Sequence, residues 1–96
     1  MYVKIHKSGE SEIVAISDEG LIGKVIEDEK ARIEVTERFY KGKRVNDEEI
    51  KEILKTAKTV NVVGEESVNL CINLGLIEKE NVLKIKGVPH AQFITA

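Results

Sequence analysis

The sequence predicts an α+β fold: a two-layer sandwich with a mostly antiparallel sheet, two helices and one βαβ unit. Three observations carry this. The N-terminal third alternates apolar and polar residues at the strand period. Two later segments repeat apolar residues at the helical period, and short β-rich runs separate and follow them. The 96 residues are 42% hydrophobic and 33% charged, enough for one compact domain and too apolar for a disordered chain. The chain, 1–96, therefore reads as a single domain, with no repeat or Gly/Ser-rich linker to divide it.

The elements follow in order. In residues 2–7, Val3 and Ile5 face one way and Tyr2, Lys4 and His6 the other, as in a half-buried strand. Turn residues Ser8-Gly9-Glu10-Ser11 lead to a strand at 12–17 that is apolar on both faces and so central. These two form an antiparallel hairpin. Asp18 to Lys24 is a connection with two glycines. Val25-Ile26 starts a short strand, and Ala31, Ile33 and Val35 alternate with Arg32, Glu34 and Thr36 in another. After Phe39-Tyr40, Lys41-Gly42-Lys43-Arg44 reads as a turn.

Asn46 is a suitable N-cap, with Asp47, Glu48 and Glu49 placed where the helix dipole favours acids. Ile50, Ile53, Leu54 and Ala57 then mark a helix over 47–58. Residues 60–63 form a strand stopped by Gly64. A second helix spans 65–74, with Val68, Cys71 and Ile72 inward and Gly75 at C′. A strand at 82–86 is long enough after 60–63 to close a crossover. Gly87-Val88-Pro89 makes a turn or bulge, with Pro89 at a strand start or edge, and 91–95 is the last strand.

Composition excludes several functions. The net charge of −2 gives no global case for nucleic acid, so such a case rests on local clusters. No apolar run approaches the ~20 residues that cross a bilayer, and the first residues read as a strand, not a signal sequence. The single Cys71 forms no internal disulfide and no multi-thiolate zinc site. A cytoplasmic protein is expected, with no membrane partner, metal or cofactor. The excess of Lys over Arg and of Glu over Asp has a thermophile-like bias.

Three segments carry chemistry. Residues 38–44 hold Arg38, Lys41, Lys43 and Arg44 with the aromatics Phe39 and Tyr40, and no acid. Cations that neutralise phosphates beside rings that stack on unpaired bases are the means by which single-stranded RNA is held. The plainer alternative is a solvated turn with both aromatics in the core. Second, Gly64-Glu65-Glu66 follows a strand and opens a helix, but two acids in the first turn repel an anion. Third, His90 and Gln92 share one strand face, where an imidazole beside an amide can recognise a ligand or move a proton. His6 and His90 together would make at most a weak metal site. Cys71 lies on a buried helix stripe, as a small hydrophobe. No catalytic constellation is visible.

The stretches Met1-Tyr2-Val3-Lys4-Ile5-His6, Leu21-Ile22-Gly23-Lys24, Phe39-Tyr40 with Gly42, Asn61-Val62-Val63-Gly64-Glu65, Leu74-Gly75-Leu76-Ile77 and Val88-Pro89-His90-Ala91-Gln92 span the chain. In that order they resemble the archaeal family known as domain of unknown function 424. The resemblance implies a small cytosolic α+β protein in an information-processing context. It implies no active site, so no functional residue is carried over.

Two functions are therefore expected. The first is a non-enzymatic module that binds RNA or a ribonucleoprotein, a translation partner among them, through Arg38, Phe39, Tyr40, Lys41, Lys43 and Arg44. The second is a small-molecule or enzymatic site built from Gly64, Glu65, His90 and Gln92. A homo-oligomer is also compatible with the sequence, since the last strand can pair across an interface.

Overall fold

A computed structural model describes residues 1–95. Strands β1 (Tyr2–Ser8) and β2 (Ser11–Ser17) form the expected antiparallel hairpin. Strands β3 (Val25–Glu27) and β4 (Arg32–Glu34) form a separate two-stranded ribbon. Helix α1 (Glu37–Tyr40) and the two-residue strand β5 (Lys43–Arg44) precede α2 (Asp47–Leu54). Then come β6 (Thr59–Val63), α3 (Glu65–Asn73), β7 (Leu83–Ile85) and β8 (Val88–Ile94). The main sheet runs in the order β5-β1-β2-β6-β8-β7. Only β2 and β6 pair in parallel, so the sheet is mostly antiparallel.

The expected crossover is present with one strand inserted. β6 and β7 both run antiparallel to β8 and hence parallel to each other, and α3 links them. β8 folds back from β7 through the two-residue turn Lys86-Gly87, whose φ angles of 49° and 79° are those of a type I′ hairpin. It thereby enters between the two parallel strands. Pro89 sits inside this strand at no cost in pairing. Its carbonyl accepts the Gly64 N–H (2.9 Å), while the Gly64 carbonyl, which would have wanted the missing proline N–H, accepts from Val68 N in α3 (2.9 Å).

Helices α2 and α3 cover one face of the sheet. Their Ile50, Leu54, Val68 and Cys71 pack on Val3, Val14, Ile16, Val60, Val62 and Ala91. The other face carries its own cluster, in which Ala15, Val63 and Ile85 pack with Ile26, Val35 and Tyr40. The ribbon and α1 thus add a partial third layer to the two that the sequence suggests. The reason was visible in β2, where Val14, Ala15, Ile16 and Ser17 are all fully buried. A central strand that is apolar on both faces needs cover on both.

Helix ends follow local rules. Asn46 Oδ1 accepts from Glu49 N (2.9 Å), and the Glu49 carboxylate accepts from Asn46 N (3.4 Å), a complete capping box. α2 ends at Leu54, four residues before the helical pattern does. Thr56 N already bonds to Ile53 O in a tighter turn that leads the chain into β6. α3 ends as expected, with Gly75 N on Ile72 O and Leu76 N on Cys71 O, a Schellman closure.

Candidate nucleic-acid interface

The sequence argues against an anion at the N-terminus of α3, because Glu65 and Glu66 occupy its first turn, yet the structure places the protein's own carboxylate there. The Asp18 carboxylate accepts from Ser67 N (2.8 Å), Ser67 Oγ (2.6 Å) and Glu66 N (3.1 Å). The approach depends on Gly64, which has φ +110° and whose missing Cβ would fall on that carboxylate. Asp18 thereby ties the end of β2 to the start of α3, and it takes the Glu66 and Ser67 N–H groups that a phosphate would need.

Residues 38–44 are not one turn. Thr36 Oγ1 accepts from Phe39 N (3.1 Å) and starts α1. The chain then passes Gly42, where a Cβ would collide with the Val3 carbonyl and lie 2.9 Å from Lys4 Cα. Lys43 and Arg44 add β5 to the edge of β1.

The aromatic part of the expected RNA site is corrected by this arrangement. Tyr40 is 4% exposed and packs in the second core, where burial raises its phenol pKa. Phe39 is half-buried, stacked on the His6 ring at 4.6 Å and 14°, and edge-on to Tyr40. His6 Nε2–H donates to the Phe39 carbonyl at 2.8 Å, which fixes the ring pair. Tyr40 has no exposed face for a base to stack on, and one face of Phe39 is taken by the His6 ring. A four-residue helix is too short to show a period, so the sequence held no sign of which way the rings turn.

The cations remain at the surface. Arg44 pairs with Glu19 through two bonds, Nε–Oε1 at 2.6 Å and Nη2–Oε2 at 3.0 Å. That contact lowers the Glu19 pKa and raises that of Arg44. Lys43 lies 3.2 Å from Glu49, whose pKa is lowered by Lys43 and by the Asn46 N–H. Lys41 reaches Glu37 at 4.0 Å and lies 6.0 Å from the Tyr2 ring centre. These side chains are exposed, 71% for Arg44 and 75% for Lys43. Exposed pairs of this type hold weakly and are screened by salt. Arg38 and Lys4 are in no ion pair among the described residues.

Cross-strand register relates the two sites that the sequence set apart. Lys4, Ala15, Asn61 and Gln92 form one row across β1, β2, β6 and β8, and Tyr2, Ser17, Val63 and His90 form the next but one. Ala15 and Val63 belong to the core under α1 and the ribbon, so both rows face that side, away from α2 and α3. His90 and Gln92 are thus on the same side of the sheet as α1. From Lys4 to Gln92 is three strand spacings, about 14 Å. Burial lowers the pKa of half-buried His90.

Glu65 is placed differently. It lines a groove on the helix side of the sheet together with Pro89, and strand alternation turns His90 and Gln92 to the opposite side. The small-molecule site expected from Gly64, Glu65, His90 and Gln92 is therefore not assembled. His6 and His90 are likewise three strands apart and do not converge. β8 is bordered by β6 along Val63↔His90 to Thr59↔Ile94, but by β7 only at Val88, Pro89 and His90, so residues 91–94 keep an edge that no described strand pairs. Cys71 is fully buried, and its thiol is pushed up to about 11 by that burial. No described helix is long and apolar enough to cross a membrane.

A family model described as "Protein of unknown function (DUF424)" matches residues 5–96. The chain belongs to the DUF424 family. The crystal structure of an uncharacterized conserved protein from Methanopyrus kandleri is similar to this DUF424 chain, with a TM-score of 0.80 and 24% sequence identity. The likeness covers 98% of this chain and 90% of that one, and it supports the fold. No curated protein matches the sequence.

Proposed function

We propose that this DUF424 protein is a non-enzymatic binding module for single-stranded RNA, met alone or within a ribonucleoprotein of the cytoplasm. The observation that carries the reading is the cross-strand row Lys4-Ala15-Asn61-Gln92, on the side of the sheet where α1 sits. Arg38, Lys41 and Arg44 border this side and supply phosphate contacts. Lys43, opposite Val3 and 3.2 Å from Glu49 of α2, adds a cation from the other face of the same edge. Asn61, His90 and Gln92 on the sheet supply donors and acceptors for base edges.

The mode differs from the one that composition suggests, because stacking on Phe39 and Tyr40 is replaced by polar contacts to the sheet. The ion pairs of Lys41, Lys43 and Arg44 do not oppose it. A phosphate can displace an exposed carboxylate partner at little cost. Counterion release from the RNA then adds to the binding.

The reading is tested by titrating a mixed-sequence single-stranded RNA into isotope-labelled protein at low salt. Shifts are expected at the side chains of Asn61 and Gln92 and at the backbone around Arg38 and Lys41. Shifts confined to α2 and α3, or none, would overturn it.

A further inference from the structure

The helix side of the sheet carries a separate groove of about 340 Å³ between α3 and the β7–β8 hairpin. Its floor is Val68, Ile72, Val82 and Pro89, and Val68 and Pro89 are buried. Two lysines stand at its rim. Lys84, opposite Pro89 in the β7–β8 register, comes from the strand, and Lys79 from a short 3-10 turn at Lys79–Asn81. Neither is in an ion pair among the described residues, and both are exposed. One acid, Glu65, lines the same groove, which leaves the rim with a net positive charge.

We infer that this groove is a binding site for a small anionic amphiphile, a medium-chain carboxylate, with its apolar body on the Val68-Ile72-Val82-Pro89 floor and its carboxylate at Lys79 and Lys84. The volume lies at the lower end of the range for small-molecule pockets. An apolar floor with a few charged groups at one margin fixes both the body and the orientation of such a ligand. Charge complementarity selects the occupant. Two unpaired lysines favour an anion, and Glu65 alone does not offset them. The groove and the proposed RNA surface lie on opposite sides of the sheet, so each stands or falls by itself.

Octanoate, octylamine and 1-octanol are the probes, titrated into labelled protein and followed by chemical shift. Octanoate is expected to saturate in about the millimolar range and to shift Val68, Ile72 and Val82. Octanol should bind more weakly, and octylamine more weakly still. The double variant Lys79→Met, Lys84→Met keeps the apolar stems and should weaken octanoate roughly tenfold while leaving octanol unchanged. Asn69→Trp, at an exposed position of α3 beside the groove, should obstruct all three. Equal binding of octanoate and octylamine would overturn the inference. So would octanoate shifts centred elsewhere, an unaltered affinity in the double variant, or no saturation at ten times the expected concentration.

Discussion

Two regions of this molecule bear on anion binding, and in each the structure departs from what the sequence alone suggests. At the start of α3, a strand, a glycine and a helix N-terminus are joined, and the anion there is the protein's own Asp18. Around α1 and β5, four cations stay at the surface, three of them against exposed acids and one in no ion pair among the described residues. The first region is structural because Asp18 takes the Glu66 and Ser67 N–H groups and the Ser67 hydroxyl. The second remains available because its partners are held weakly. A charged motif is read correctly only when its partners are known, and here Asp18 comes from 48 or more residues away.

The difference can be broken from the α3 side first. Gly64→Ala places a Cβ on the Asp18 carboxylate at φ +110° and should cost on the order of 3 kcal/mol, the largest effect expected. Thermal unfolding would register this as a fall in midpoint of some ten degrees or more, at roughly 4–8 °C per kcal/mol. Asp18→Ala removes the cap and strands the buried Ser67 hydroxyl, at about 2 kcal/mol. In the double variant the collision is gone, so the combined loss should fall short of the sum by at least about 1 kcal/mol. Strict additivity in denaturant unfolding would contradict the shared geometry.

His90 gives a smaller, pH-dependent contrast. Burial lowers its pKa in the folded state, so the unfolded chain binds the proton more readily. The stability contribution is therefore complete above the unfolded value near 6.5 and is lost as pH falls through the lower folded value. Denaturant midpoints measured from pH 7 to 5 should decline in the parent, and less steeply in His90→Gln. The smallest effect on stability belongs to the open region. Lys41→Gln, Lys43→Gln, Arg44→Gln should leave the unfolding midpoint close to the parent's, since exposed pairs stabilise little.

Much of the fold was legible because its signals are local. Alternation in 2–7 marks β1, Asn46 with Glu49 marks the start of α2, and Gly75 marks the end of α3. Non-local pairings were not legible. The insertion of β8 between β6 and β7 depends on long-range register, and the cover over Ala15 and Val63 depends on how the β3–β4 ribbon folds back. The same limit applies to the candidate surface. Its basic residues could be read from the run at 38–44. The burial of Tyr40, the stacking of Phe39 on His6, and the register that brings Lys4, Asn61 and Gln92 into one row could not.

The central claim is that Arg38, Lys41, Lys43 and Arg44 are available to phosphates despite their acidic neighbours. Its most direct test is the affinity for a mixed-sequence single-stranded RNA across a salt series, in the parent and in the triple glutamine variant. If all four cations engage phosphates, log K against log salt should have a slope of about −3 in the parent. In the variant the slope should fall to about −1, with weaker binding at every salt concentration. Equal slopes and affinities in the two proteins would contradict the account.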